Sequence, residues 1–273
     1  MTITGHENVE SVDIRRNMQF TTIVVSLNAF NLISGTLDSI LEQDCDDYEV
    51  VLVDGASTDG TLEIIRQYET KFQGKLRWIS EPDRGIYDAM NKGIAMSKGN
   101  FVNFLNCGDT YEPQAFAHIR EAIRLKPETQ VAYGISRYFD DTGEVRLIRE
   151  CHTRFRERNI CHQSIWYHRD LFEKFGVYDL QYRFLADYDF NIRLYQNGAV
   201  FNPVDAIVVN YSLTGISSCN TNEEEGQKEA MSIFYSHNLV DKAHYDWFMG
   251  SFGRRRFLNK LRDLARKFYL FSK

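Results

Sequence analysis

The sequence is poor in cysteine and does not group the few it has. Cys45, Cys107, Cys151, Cys161 and Cys219 are widely spaced, with no CxxC pair and no zinc pattern. The expectation is a cytosolic protein with reduced thiols. No stretch approaches the roughly 18 apolar residues of a membrane span. Residues 1–19 are polar and without periodicity, a leader lacking the apolar core of a signal peptide. Positive charge is in deficit too. The 32 Lys and Arg face 38 Asp and Glu, a formal net charge of −6, which argues against nucleic acid as a partner. There is no internal repeat and no low-complexity linker.

What remains is an ordinary globular mixture, 43% hydrophobic and 26% charged over 273 residues. That suits one large α/β domain with a tail, or two small domains, and a chain of this size buries enough apolar surface to need no staples. Aromatics are plentiful at 14%, with 15 Tyr and 19 Phe. They read chiefly as core, with flat platforms for a sugar as the functional alternative. Charge is unevenly placed: from Arg254 onward there are eight Lys and Arg against a single acid, Asp263.

Periodicity orders the first half. Phe20–Ser26 and Tyr48–Val53 are short β-branched runs typical of buried strands, and Leu76–Ile79 and Phe101–Leu105 follow the same pattern. Between them the spacing predicts helices over 32–42, 61–72 and 86–97; in the second, Leu62, Ile65 and Tyr68 share a face. This β-α-β-α-β-α-β order predicts a mostly parallel, Rossmann-like central sheet with helices on both faces. Ligands bind outside the carboxyl ends of such strands, where this sequence places Asp54–Gly60 and Asn106–Asp109. Later, 131–137, 145–149, 165–167 and 206–211 read as strands, and 170–175 and 188–197 as helices.

Each polar cluster has a chemical and a plain reading. Asp54 can accept hydrogen bonds from a base or ribose, with Gly55 and Gly60 allowing close approach, or the segment is a turn with Ser57 or Asp59 capping a helix. Asp109 can reach a divalent ion on a diphosphate, or Asn106-Cys-Gly-Asp109 is a β-turn. Asp187, at a helix start, is a candidate general base or a first-turn acid. His162, beside Gln163, can be a metal ligand, an acceptor contact or a satisfied buried histidine.

Taken together, six segments resemble family 2 inverting glycosyltransferases of the GT-A fold, over residues 20–220. They are Val24-Val-Ser-Leu-Asn28, Leu52-Val-Asp-Gly-Ala-Ser-Thr-Asp-Gly-Thr61, Glu81-Pro-Asp-Arg-Gly-Ile-Tyr-Asp-Ala-Met-Asn-Lys-Gly93, Phe104-Leu-Asn-Cys-Gly-Asp109, Cys161-His-Gln163 and Ala186-Asp-Tyr-Asp-Phe-Asn-Ile-Arg193. The third segment, and Phe201–Ser218, are most similar to a bacterial subgroup that builds O-antigen, capsule and exopolysaccharide. The resemblance implies a nucleotide-sugar donor, UDP being the family's commonest nucleotide with GDP and dTDP left open by the altered acids, and a glycan or lipid-linked acceptor, with Mn2+ or Mg2+ as cofactor. It assigns Ser26, Asn28, Asp54, Arg84, Asp88 and Asn106 to the nucleotide-sugar, Asp109 to the metal and Asp187 to base catalysis. It leaves His162 and Gln163 to acceptor or metal.

Three departures stand out. Asn106 and Gly108 replace acids of the family's metal motif, Gly55 replaces a second acid after Asp54, and Ala186 replaces the Glu that usually precedes the base. A nucleotidyltransferase would need a Gly-rich, basic loop after the first strand, which Ser26–Ser34 lacks. A non-catalytic sugar-binding or scaffold protein is the other alternative, because the metal motif is thinned. The tail, 221–273, is expected to be helical. From Arg254, apolar Phe257, Leu258, Leu261, Leu264, Ala265 and Phe268 share a face of a basic amphipathic helix. Such a helix lies on an anionic membrane, here the inner face of the cytoplasmic membrane, or docks on the domain.

Overall fold

A computed structural model describes residues 20–140, 142–143, 145–213 and 223–251. The polar leader 1–19, the Gly215–Ser218 loop and the basic amphipathic segment from Arg254 lie outside the described residues.

The expected alternation is present. Strands β1 (Phe20–Ser26), β2 (Tyr48–Asp54), β3 (Leu76–Ser80) and β4 (Phe101–Asn106) alternate with helices α1 (Ile33–Leu41), α2 (Thr61–Lys71) and α3 (Ile86–Met96). Then come β5 (Thr110–Tyr111), α4 (Ala115–Leu125), β6 (Val131–Phe139), β7 (Val145–Ile148), β8 (Ile165–His168), α5 (Asp170–Phe175), α6 (Ala186–Gln196), β9 (Phe201–Ser212) and α7 (Glu223–Ser236). A further helix covers 242–251. The helical part of the tail is therefore present as far as it is described.

The sheet runs β3-β2-β1-β4-β8-β6-β9-β5, with β7 on β6. Its first four strands are parallel. Beyond them β8 enters antiparallel between β4 and β6, while β9 lies parallel to β6. The curled α/β sheet, parallel in its first half and mixed in its second, is a GT-A fold.

Alternation along each strand divides the core in two, because successive side chains point to opposite faces. Ile23, Val25, Val51 and Val53 pack with Met90 of α3 and Phe190 of α6. Val24, Val50 and Leu52 pack with Leu37, Ile65 and Phe116 on the opposite face. Gly93 permits the first contact: a Cβ there would stand 2.4 Å from Ile23 Cγ2. The aromatic surplus is mainly core. Phe104, Tyr167, Phe172, Tyr178 and Phe190 interlock behind α6, with Phe172 and Phe190 stacked at 4.9 Å.

Strand order reverses around β1, which has β2 on one side and β4 on the other. The polar strand ends Ser26, Asp54 and Asn106 therefore lie side by side at the carboxyl edge of the parallel strands, where ligands bind in sheets of this kind.

Candidate active site

Register builds the first part of the site. Ser26, Asp54 and Ser80 are aligned neighbours at the ends of β1, β2 and β3. Asp54, with no exposed surface, accepts hydrogen bonds from Ser26 Oγ (2.9 Å), Ser57 Oγ (2.5 Å), Ser57 N–H (2.8 Å) and Ser80 Oγ (2.7 Å). Four donors fill the lone-pair sites of one carboxylate. Asp54 thus anchors the ends of β1 and β3 and the loop that follows β2.

Those loops are laced together. Asn28, in a left-handed conformation (φ 48°), donates its N–H to Ser57 Oγ (2.7 Å) and accepts from Thr58 N–H at its Oδ1 (3.0 Å). Ala29 N–H reaches Thr61 Oγ1, and Phe30 N–H reaches Asp59. Asp59 is therefore a cross-loop acceptor as well as a local partner of Thr61. Gly55 has a specific neighbour: a Cβ there would meet Asp83 Oδ2 at 2.6 Å. The space of the missing second acid is thus occupied by a carboxylate from the β3–α3 loop.

Arg84 and Asp88 lie on that same rim. Asp88 accepts from the Arg84 backbone N–H (3.0 Å) and from its guanidinium (3.2 Å). The Arg84 N–H, its side chain and Lys92 hold the Asp88 carboxyl below its ordinary range. The Arg84 side chain remains 78% exposed, projecting from the rim.

The second part forms where β4 ends. Gly108 turns the chain at φ 101°, a conformation that disfavours the acid the family motif carries there. Thr36 of α1 fastens the turn, accepting from Gly108 N–H and donating to the Asp109 carbonyl. Asp109 is 5% exposed. Its Oδ1 accepts from Ser212 N–H (2.9 Å) and its Oδ2 from Gln163 Nε2 (2.8 Å). Burial nevertheless pushes its pKa up to about 6, against the opposing pull of these donors and of His162.

Asp187 stands in the first turn of α6 and is also 5% exposed. Its Oδ1 lies 2.7 Å from Tyr87 Oη, and its Oδ2 accepts from Asn159 Nδ2 at 2.7 Å. His162 links it to the strand end. His162 Nδ1 is 3.5 Å from Asp187 Oδ2, and its Nε2 is 3.3 Å from Asn106 Nδ2. His162 thus stands between Asn106 and Asp187, one ring nitrogen toward each. Asp189 points elsewhere, pairing with Arg193 and His237.

Asn106, Asp109, His162, Gln163 and Asp187 are therefore gathered at one end of the sheet. Ser26, Asn28 and Asp54 form the adjoining loop network, and Arg84 and Asp88 its rim. Tyr87, Asn159 and Asn103 were not singled out from sequence. Asn103 Nδ2 donates to the carbonyls of Gln163 (3.0 Å) and Ile165 (2.6 Å), setting the turn that carries His162 and Gln163. An asparagine in the middle of an otherwise apolar strand was the available signal.

A divalent ion fits this end of the cleft. Asn106 Oδ1 is buried without a partner, an oxygen of the kind Mn2+ or Mg2+ accepts. Asp109 adds a buried carboxylate with no cationic side chain bonded to it. Among the described residues no three His, Cys, Asp or Glu form a metal cage, so further ligands would have to come from substrate and water.

Residues 21–179 match the model for glycosyl transferase family 2. The chain belongs to that family. It is 37% identical over 228 residues to a PGL/p-HBAD biosynthesis glycosyltransferase of Mycobacterium bovis, covering 81% of this chain and 88% of the relative. A glycosyltransferase of Mycobacterium tuberculosis is 27% identical over 267 residues, 92% of either chain. The fold is similar to that of S. aureus TarS 1–349 in complex with UDP, with TM-score 0.65 and 20% identity over 88% of this chain and 72% of that one. It is also similar to the mannosyltransferase PcManGT from Pyrobaculum calidifontis in complex with GDP-Man and Mn2+, with TM-score 0.60 and 19% identity over 80% and 62%. This family 2 glycosyltransferase has neutral Asn106 and Gly108 in the turn that ends β4, with Asp109 as its acid. No helix among its described residues is long and apolar enough to cross a membrane.

Proposed function

We propose that the chain is an inverting transferase. It moves a hexose-type sugar from a nucleotide-sugar, first of all a UDP-sugar, to a hydroxyl of a glycan or lipid-linked acceptor in surface-polysaccharide synthesis. The observation that carries the proposal is Asp187: a buried carboxylate held at both oxygens and connected through His162 to the Asn106–Asp109 turn. The UDP bound in the similarly folded TarS, and the PGL/p-HBAD biosynthesis glycosyltransferase among the relatives, support a UDP-sugar donor and a biosynthetic acceptor.

In this reading Ser26, Asn28, Arg84 and Asp88 line the nucleotide, and Asp54 serves it through the loops it fixes. Asn106 and Asp109 would hold Mn2+ or Mg2+, which when bound offsets negative charge on the diphosphate. Asp187 takes the proton from the acceptor hydroxyl. The freed oxygen forms a bond to the anomeric carbon as the bond from that carbon to the diphosphate oxygen breaks. Attack from the face opposite the leaving group inverts the centre. Tyr87 and Asn159 orient the base, while His162 and Gln163 line the acceptor side or complete the metal site. The basic segment from Arg254 then holds the enzyme at the cytoplasmic face of a membrane, close to a lipid-linked acceptor.

The test is thermal unfolding with UDP, GDP or dTDP, each with and without Mn2+. A ligand at a hundred times its dissociation constant stabilises the folded state by about 2.7 kcal/mol. UDP with Mn2+ is expected to give the largest rise in Tm. Absence of a shift with every nucleotide, in folded protein, would overturn the proposal.

A further inference from the structure

Helix α7 comes after the last strand and outside the span that matches the family model, yet one of its side chains holds the approach to α6. Glu229 Oε1 accepts from Arg183 N–H (2.7 Å), and its Oε2 accepts from Phe184 N–H (2.8 Å) and Leu185 N–H (3.1 Å). Leu185 is the residue before α6, which has no side-chain cap of its own. A carboxylate at this end satisfies backbone donors and complements the helix dipole.

The contact continues to the proposed base. The carbonyl of Phe184 lies 2.9 Å from Tyr87 Oη, which lies 2.7 Å from Asp187 Oδ1. Burial pushes the Tyr87 phenol well above its usual range, and the charges of Asp187 and Glu229 both add to this. Tyr87 therefore remains the protonated partner in that contact. The end of α7 and the residue after it are fixed against the same region. His237 Nε2 is 2.8 Å from Asp189 Oδ1, Phe234 packs edge-on to Tyr188, and Ile233 is fully buried.

We infer that α7 is part of the catalytic apparatus. Glu229 is a positioning residue that sets the Tyr87–Asp187 contact by holding residues 183–185. The inference rests on Asp187 being the base. It makes the C-terminal extension a requirement for turnover and not only an appendage that carries the tail.

The experiment uses the full chain with Glu229→Ala, Glu229→Gln, Tyr87→Phe, Glu229→Ala/Tyr87→Phe and Asp187→Asn. Turnover is nucleoside diphosphate release with Mn2+, from whichever of UDP-glucose, UDP-galactose and UDP-N-acetylglucosamine the wild type cleaves fastest. Hydrogen–deuterium exchange of 183–188 is measured in parallel. Glu229→Ala should lower kcat about tenfold or more with donor KM within about twofold, and speed exchange at 183–185. Glu229→Gln, which keeps one acceptor oxygen and the side-chain length, should fall between. The double variant should lose no more than the worse single variant, because both substitutions disturb one contact.

Normal kcat in folded Glu229→Ala, unchanged exchange, or multiplicative losses in the double variant would overturn the inference. If Asp187→Asn is slow while Glu229→Ala is normal, only the role of Glu229 fails. If Asp187→Asn is itself normal, the base assignment fails and the inference falls with it.

Discussion

Asp187→Asn is the substitution that bears most directly on the proposed chemistry. The asparagine has nearly the same shape, so Tyr87 Oη and Asn159 Nδ2, each 2.7 Å from a carboxylate oxygen, keep a side chain to pack against. The amide offers one acceptor oxygen where the carboxylate offers two, and its NH2 must face one of the former donors. A mismatch of this kind at a site 5% exposed costs about 1–3 kcal/mol of stability. The chemical effect is larger. General-base help is worth about 10² to 10⁴ in rate, or about 2.7–5.4 kcal/mol of barrier. Among the described residues Asp54 bonds to Ser26, Ser57 and Ser80 and Asp187 to Tyr87, Asn159 and His162, with no shared partner, so nucleotide affinity should stay within about threefold. The assay is initial-rate release of nucleoside diphosphate at saturating donor, with calorimetric titration of UDP and Mn2+ alongside. Turnover within threefold of wild type, in protein that binds UDP normally, would refute the assignment of Asp187 as base.

Two further outcomes follow from the geometry. Glu49 is buried at the start of β2, where it accepts from Thr21 Oγ1 (2.7 Å), Arg77 (2.8 Å) and Lys98 N–H (2.6 Å). Burial pushes its pKa up, but these partners together bring it below its ordinary value of 4.5. Its contribution is therefore complete above pH 4.5 and is lost as pH falls through the lower folded value. Glu49→Gln should cost about 1.5–3 kcal/mol in urea unfolding at pH 7, with the gap to wild type closing in acid; a gap independent of pH would contradict this. Gly55→Asp restores the family's second acid, but its Cβ meets Asp83 Oδ2 at 2.6 Å. It should lower UDP affinity alone and recover it when combined with Asp83→Ala; tighter binding by the single variant would show that the space is open.

The parallel half of the sheet was legible because its signals are local. Runs such as Thr22-Ile-Val-Val25 and Tyr48–Val53 mark buried strands, and amphipathic spacing marks the helices between them. Polar residues at successive strand ends then indicate a crevice. The mixed half was less legible, since β8 pairs with β4 over only Phe101–His168 and Val102–Tyr167, a long-range contact with no periodic trace. Asp109, His162, Gln163 and Asp187 could be named from their motifs, but motifs do not say which atoms meet.

By itself, the sequence determined the order of strands and helices, the loops that gather at the strand ends and the membership of a transferase family, because these depend on near neighbours and recurring residue types. Tertiary structure decided the rest. It surrounded Asp54 with donors from two strand ends and a loop, put Asp83 in the space beside Gly55, and left Asn106 Oδ1 without a partner. It also brought Tyr87, Asn159 and Glu229 to the two sides of the α6 start. Those residues are 100, 28 and 44–46 positions from the groups they hold. Contacts across such separations are set by how the sheet curls and how α6 and α7 pack, and short-range patterning carries no record of either.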